Sequence, residues 1–562
     1  MGPQSAASRA ILAMKYCQPG EDFREMCSRV ASTLTDTPDT YHPFRDAMLN
    51  MRFFPAGRIL SSIGTARGTT AFNCFVSGTI EDTFVEGPGS IMQRAVEAAA
   101  TMRLGGGIGY DFSTLRPRGA VIKKLGSHSS GPVSFMGIFD AVCQCVASSG
   151  HRRGAQMAVL RADHPDIEEF IGAKQNRTKL TGFNLSIAVP DSFMRAVQQG
   201  TSFELQWDGT PYQTINASML WEKIMRSTWD WGEPGVLFID RINKSNNLNY
   251  CETISATNPC AEQPLPPFGA CLLGSFNLPK YLVLEQNLPR RFTFDWELFR
   301  ADIRLAVEAL DNVIDRTNFP IVQQRVEATQ KRRLGLGIMG AANAGEILGF
   351  PYGSSEFLQF LDMVLSLLKN EAYTASAKLA ARKGAFPKFN KNKYLQAEFI
   401  QRLSASAQDA IRMHGLRNSH LISIAPTGTL SLMADNVSSG IEPVYMHSGM
   451  RRVNTPEGVV EMEVRDYAAA TYGECGRLAS EVTANEHVDV LLRCQPHVDS
   501  SISKTCNVSP DMPWTDFKEL YVKAWLGGAK GCTTFQTDGG SRGTIMKPQS
   551  EDSDCASGAC SA

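Results

Sequence analysis

Apolar residues recur at helical spacing over the first 55 positions, as in Ala10-Ile11-Leu12-Ala13-Met14 and from Phe23 through Leu34, with Pro43 and Pro55 interrupting them. This predicts a small helical N-terminal region over residues 1–55. The pattern changes at Phe72-Asn73-Cys74-Phe75-Val76, a short apolar run that predicts a buried strand carrying a thiol. From about 155 to 545, strand-like runs such as Gly182-Phe-Asn-Leu-Ser-Ile-Ala-Val189 alternate with amphipathic stretches such as Ala301 to Val313. That alternation predicts an α/β fold with a mainly parallel sheet, and its length suits a barrel. In such barrels the reacting groups sit on loops at the carboxyl ends of strands or project into the centre.

Three polar interruptions stand out. Leu104-Gly-Gly-Gly-Ile-Gly109 and Gly150-His-Arg-Arg-Gly154 adjoin apolar segments, where bare backbone can approach a phosphate or sugar closely. Neither has the spacing of a dinucleotide fingerprint or a P-loop, so each fits a simple turn as well. Leu421-Ile-Ser-Ile424 reads as a strand that ends at Pro426 and passes into Thr427-Gly-Thr-Leu-Ser431. Hydroxyls and free amides at a helix start form an anion site, and they also form an ordinary N-cap.

The stretch Asn258-Pro-Cys-Ala-Glu-Gln-Pro-Leu-Pro-Pro-Phe-Gly-Ala-Cys271 puts an amide, a thiol and a carboxyl at alternate positions, Asn258, Cys260 and Glu262. In an extended backbone alternate side chains share a face, so all three are expected to point into one small volume. Pro264, Pro266 and Pro267 exclude a helix and stiffen the segment. Spacing alone fits a Pro-rich surface loop with incidental cysteines equally well.

At 562 residues and 61.5 kDa the chain can bury a large core, and its formal net charge of −1 gives no support to a nucleic-acid or anionic-membrane partner. Local basic clusters, Arg152-Arg153 and Lys331-Arg332-Arg333, remain candidates to grip phosphates. No run of eighteen apolar residues and no signal-peptide pattern occurs, so a cytoplasmic protein is expected. Fourteen cysteines over this length, with no Cys-x-x-Cys, argue against a disulfide scaffold or a structural zinc site. Most of them, including Cys17, Cys27, Cys143, Cys145 and Cys251, are expected to be buried thiols. The polar stretch after Pro548 is expected to be disordered, and its Cys555 and Cys560 are placed to exchange thiols on a flexible tether.

Together these pieces resemble ribonucleotide reductase, and are most similar to the adenosylcobalamin-dependent class II catalytic chain. The resemblance rests on the Asn258–Cys271 stretch, Phe72-Asn-Cys74, Leu334-Gly-Leu-Gly-Ile-Met-Gly340, Ala425-Pro-Thr-Gly-Thr429, Ser439-Gly-Ile-Glu-Pro443 and the paired tail cysteines, in family order from about residue 55 onward. Ala261 stands where the class II pattern commonly has glycine. The resemblance implies a ten-stranded α/β barrel of two antiparallel five-stranded parallel halves with a central finger loop, over residues 56–547, followed by a redox tail at 548–562.

It further implies that Cys260 becomes a thiyl radical that removes the 3′ hydrogen of the ribose, that Glu262 is the general base and that Asn258 holds the sugar. Cys74 and Cys271 then supply two electrons, and Cys555 and Cys560 reduce the resulting disulfide and pass the oxidation to a thioredoxin- or glutaredoxin-like protein. Thr427, Gly428, Thr429 and Leu430 match the substrate phosphate loop, and Gly107 a further substrate contact. Asp82, Arg152 and Arg153 fall where a deoxynucleotide effector selects the base. Substrates are ribonucleoside diphosphates or triphosphates, diphosphates by preference, and a homodimer is expected. No metal site is implied.

In class I relatives an adjacent tyrosine pair relays the radical from a metal-containing subunit. The matching place here reads Lys530-Gly-Cys-Thr-Thr-Phe-Gln536, without that pair, which points to adenosylcobalamin as the radical source. The rival readings are a class I catalytic chain, a non-enzymatic nucleotide-binding regulator and a thiol-disulfide oxidoreductase.

Overall fold

A computed structural model describes residues 2–148, 152–153, 155–176, 178–285, 291–455, 458–473 and 476–536. Its centre is a ten-stranded sheet. The strands are β1 (Phe53–Pro55), β2 (Cys74–Val76), β3 (Gly107–Asp111), β4 (Gln156–Arg161), β5 (Phe183–Val189), β6 (Gly235–Phe238), β7 (Ala270–Asn277), β8 (Leu334–Met339), β9 (Thr505–Val508) and β10 (Gly531–Gln536). Strands β2, β3, β4, β5 and β6 run parallel in that order. A second parallel set pairs β7 with β8 and β9 with β10. The two sets meet antiparallel, β7 against β2 and β6 against β10, and β1 adds an antiparallel edge to β7.

The expected strand at Leu421–Ile424 makes only isolated parallel bridges, Leu336 to Ile422 and Ile424 to Ile502. These lie between β8 and the segment leading into β9. The α/β reading therefore holds, with a sheet of mixed direction.

Burial on both faces explains the composition of these strands. All eight residues of β7 and all six of β8 are buried, as in sheets covered by helices on one side and filled on the other. The outer layer includes the helix Trp296–Asp315, capped by the Asp295 carboxylate accepting the Leu298 N–H. Its buried Phe299, Ile303, Ala306, Leu310 and Val313 recur every three or four residues, which is the face it lays on the sheet. Removing one of these, as in Leu310→Ala, is expected to cost about 2–5 kcal/mol.

The predicted N-terminal region forms three helices, Ala6–Lys15, Phe23–Leu34 and Pro38–Leu49, and their apolar faces join the same continuous core as the sheet. The basic run Lys331-Arg332-Arg333 does not grip phosphates. Arg332 pairs with Asp311 and Asp315 at 2.8 Å each, Lys331 with Glu252 at 2.8 Å, and Arg333 with Glu327 at 2.7 Å and with Glu252. All three are buried, so these ion pairs are fastenings inside the fold rather than a surface. Cys17, Cys27 and Cys143 are buried as expected, whereas Cys145 and Cys251 are exposed.

Candidate active site

The Asn258–Cys271 stretch enters the interior as a hairpin. Ala256–Thr257 pairs antiparallel with Pro264–Leu265, and residues 258–263 form the turn between them. The expected extended alternation is not found. The Ala261 N–H donates to the Asn258 carbonyl at 3.1 Å, the Asn258 N–H to the Gln263 carbonyl at 3.1 Å, and the Gln263 N–H to Asn258 Oδ1 at 2.9 Å. Ala261 adopts φ 63°, which is where glycine is favoured and which accounts for the glycine of the class II pattern at this place. The turn, and not strand periodicity, brings Asn258 and Glu262 together at its base with Cys260 near its tip.

Two sets of glycines make room for the hairpin. A methyl group on Gly109 would lie 1.8 Å from the Thr257 carbonyl oxygen, and one on Gly107 3.1 Å from the Pro259 ring. From the other side, a methyl on Gly335 would lie 2.7 Å from Gln263 Nε2. Hydrogen bonds from both sides then pin the turn: Asn184 Nδ2 on β5 donates to the Pro259 carbonyl at 3.0 Å, while Ser423 Oγ and the Ser501 N–H, from the bridged segments between β8 and β9, each donate to the Glu262 carbonyl at 3.0 Å.

At the base of the turn Cys74 on β2 lies directly opposite Cys271 on β7. Neither is in a disulfide, and both are buried. Asn258 Nδ2 donates to Cys74 Sγ at 3.2 Å, and the Cys74 thiol donates to Glu262 Oε1 at 3.6 Å. Amide, carboxyl and two thiols therefore share one buried site, in which Asn258 and Glu262 are each 1% exposed.

Burial raises the Glu262 carboxyl above its usual range, only partly offset by the Asn258 and Cys74 contacts. Burial also pushes both thiols well up, helped at Cys74 by the neighbouring Glu262 and opposed at Cys271 by the Arg333 guanidinium. Two neutral thiols beside a proton-accepting carboxyl are equipped to deliver electrons and protons together.

Cys260 is half-buried and faces a different space, a cavity of ≈ 70 Å³. Ser186, Ser501, Ser503, Thr505 and Thr533 line this cavity, as does Lys504, whose ammonium is itself buried and turned to Glu442 and His487. Burial works against that cation, but Glu442, 2.6 Å from Nζ, holds the ammonium charged. Cys260 thus stands between the dithiol pocket and a second, polar chamber.

The remaining predicted residues distribute as follows. Thr427 starts the six-residue helix Gly428–Met433, and Gly428, Thr429 and Leu430 form its buried first turn. Gly107 is seated beneath Pro259 of the hairpin. Asp82 is held by Arg116, whose N–H and Nε donate to its carboxylate at 3.0 and 2.5 Å. Arg152–Arg153 is a two-residue strand paired with Ala147–Ser148. Cys555 and Cys560 lie outside the described residues.

Sequence reasoning quoted the stretches that hold Gly109, Asn184, Gln263, Gly335 and Ser423 but gave these residues no role at the hairpin. Asn184 and Ser423 carried a usable signal, each being a polar residue in the middle of an apolar run.

Residues 72–535 match the family model for the ribonucleotide reductase barrel domain. The chain is similar, at 33% identity over 94% of its length and 76% of the relative's, to a vitamin B12-dependent ribonucleoside-diphosphate reductase of Mycobacterium tuberculosis (strain ATCC 25618 / H37Rv). A protein of the same description from Thermoplasma acidophilum is 32% identical over 95% of this chain and 71% of its own length. A vitamin B12-dependent ribonucleotide reductase of Streptomyces coelicolor is 26% identical over 93% of this chain and 61% of its own.

Proposed function

The chain belongs to the ribonucleotide reductase family, and we propose on that footing that it converts ribonucleoside diphosphates to 2′-deoxyribonucleotides in a vitamin B12-dependent reaction. The observation that carries the chemistry is the register of Cys74 against Cys271 beneath Asn258 and Glu262, with Cys260 at the tip of the same turn. The residues act as follows. The Cys260 thiyl radical takes the 3′ hydrogen of the ribose, Glu262 accepts the 3′ hydroxyl proton, and Asn258 holds the sugar through its amide. The 2′ hydroxyl leaves as water while Cys74 and Cys271 become a disulfide. Two thiols and one carbon–oxygen bond are consumed, and one carbon–hydrogen bond, one water and one disulfide are formed.

The raised proton affinity of Glu262 suits a base whose proton must later be returned. Burial of Asn258, Glu262 and the two thiols keeps water from the reacting sugar. Cys555 and Cys560 reduce the disulfide by exchange and are themselves reduced by a thioredoxin- or glutaredoxin-like protein.

The donor set of the chamber beyond Cys260 fits the hydroxyl-bearing nucleoside end of adenosylcobalamin, with Ser186, Ser501, Ser503, Thr505 and Thr533 as its holders. When bound, the cofactor supplies the radical equivalent that Cys260 carries.

The ten-stranded sheet is read as a barrel of two antiparallel halves; the two antiparallel junctions and the bridges from β8 through Ile422 and Ile424 to Ile502 support that closure. Thr427 to Leu430 are read as the substrate phosphate loop and Gly107 as lying beside the substrate. The Asp82 turn, with Arg152 and Arg153, is read as the deoxynucleotide effector site of a homodimer. Family resemblance supports these three readings.

The test is anaerobic turnover of the pure chain with a ribonucleoside diphosphate, a dithiol and adenosylcobalamin. Deoxynucleotide is expected with no second protein. Inactivity until a metal-containing subunit is added would overturn the cofactor assignment, and Cys260→Ser is expected to bind nucleotide without turning it over.

A further inference from the structure

The helix Gly428–Met433 is bracketed by three non-glycine residues in the left-handed region, Thr427 (φ 54°) before it and Asp435 (φ 62°) and Asn436 (φ 57°) after it. Such conformations persist only where surrounding contacts impose them. Thr427 Oγ1 accepts the Gly440 N–H at 2.9 Å, and Asn436 Nδ2 donates to the Arg465 carbonyl at 3.1 Å.

Asp435 is held from a remote part of the chain. Its Oδ1 accepts the N–H groups of Gln4 and Ser5 at 2.7 and 3.0 Å. Three residues on, the Ser8 hydroxyl donates to the Leu432 carbonyl at 2.7 Å, and Ser8 is 1% exposed. Ser5 in turn caps the helix Ala6–Lys15 by accepting the Ser8 N–H at 3.0 Å, and Ile11 and Leu12 bury that helix in the core. The far end of this helix is thus tied at two points to an element whose helix is anchored in the core.

A helix of six residues cannot hold its own shape, because helix formation needs far more than one turn to offset nucleation. No side-chain cap fixes its first turn. We propose that Gln4–Ser8 is a clasp that positions the phosphate loop for the polyphosphate of the nucleotide, with Ser8 and Asp435 as positioning residues. This rests on reading Thr427–Leu430 as the phosphate loop. The clasp acts on binding and not on chemistry, since neither residue lies at the Cys74–Cys271 pocket.

The experiment measures ADP and adenosine binding to the full chain by calorimetry, with KM and kcat alongside. Ser8→Ala removes one tie. Asp435→Gly removes the other while tolerating the left-handed backbone, and Asp435→Asn keeps an amide oxygen to accept. Ser8→Ala and Asp435→Gly are each expected to weaken ADP binding about fivefold, and together about twentyfold. KM is expected to rise in step with kcat retained, Asp435→Asn to recover most of the affinity, and the loop amides to exchange faster in the double variant. Wild-type ADP affinity and exchange in a folded double variant, with binding lost in Thr429→Ala, would overturn the clasp. If Thr429→Ala also binds ADP normally, the phosphate-loop reading is wrong and the clasp falls with it.

Discussion

Changing Cys271 to serine removes one electron carrier and little else. Among the described residues the Cys271 thiol donates only to the Leu272 carbonyl, at 3.3 Å, a bond that serine can keep. In the native chain the antiparallel register sets Cys74 and Cys271 face to face. Directly opposed Cα atoms lie about 4.5–5.5 Å apart, inside the span of about 4.4–6.8 Å that a disulfide bridges without backbone movement. One such pair holds two electrons, which is what one ribonucleotide requires.

Pre-reduced enzyme, stripped of external thiol and mixed with cofactor and ribonucleoside diphosphate, is therefore expected to make about one deoxynucleotide per chain from this pair. Recharging by Cys555 and Cys560 is expected to raise the burst to about two, and Cys555→Ser with Cys560→Ser to return it to about one. Cys271→Ser is expected to give none. Rapid quench with chromatography of the products measures the burst, and titration of protein thiols before and after counts the electrons. A burst of one from Cys271→Ser, or product formed without loss of two thiols each, would refute the two-electron pair.

Glu262→Gln is expected to lower kcat by about 10²–10⁴ while stabilising the fold near neutral pH. Because burial raises the folded carboxyl, its stability contribution is present at acid pH and lost as pH rises; equal urea midpoints for wild type and variant between pH 5 and pH 9 would contradict this. Burial, and next the nearby Asp466, raise Glu346 from 4.5 to about 9, so its contribution is lost between those values. At pH 7 the loss amounts to about 3 kcal/mol, and Glu346→Gln is expected to flatten unfolding free energy over that range, which urea titrations across it will test. Gly109→Ala would place a methyl 1.8 Å from the Thr257 carbonyl oxygen, so the hairpin must shift. A cost of about 1–3 kcal/mol is expected in denaturant titrations, with turnover lost, and an active, unshifted variant would show that the close approach is unimportant.

The chemistry-bearing residues were legible because they cluster in short motifs: Asn258, Cys260 and Glu262 within five positions, and Cys271 shortly after. Their geometry was not. Alternation suggested an extended strand, but the Asn258 side chain closes a turn onto the Gln263 N–H, and Ala261 accepts a left-handed conformation to complete it. Periodicity describes which face a side chain takes in a regular element and carries no information about a turn closed by a side chain. The run Lys331-Arg332-Arg333 misled for a related reason. Charge reads as surface in one dimension, whereas Glu252, Asp311, Asp315 and Glu327, drawn from other elements, neutralise it inside the fold.

What the sequence determined by itself is the set of reacting groups and the α/β alternation that carries them, because residue type and local periodicity are properties of adjacent positions. The resemblance already paired Cys74 with Cys271, 197 residues later; the tertiary structure alone decided that they face each other in antiparallel register, and that Gly107, Gly109 and Gly335 are bare so that a hairpin can enter between the strands. Those relations arise from strand register and close packing, which depend on the summed burial of the whole core and on no single stretch of it.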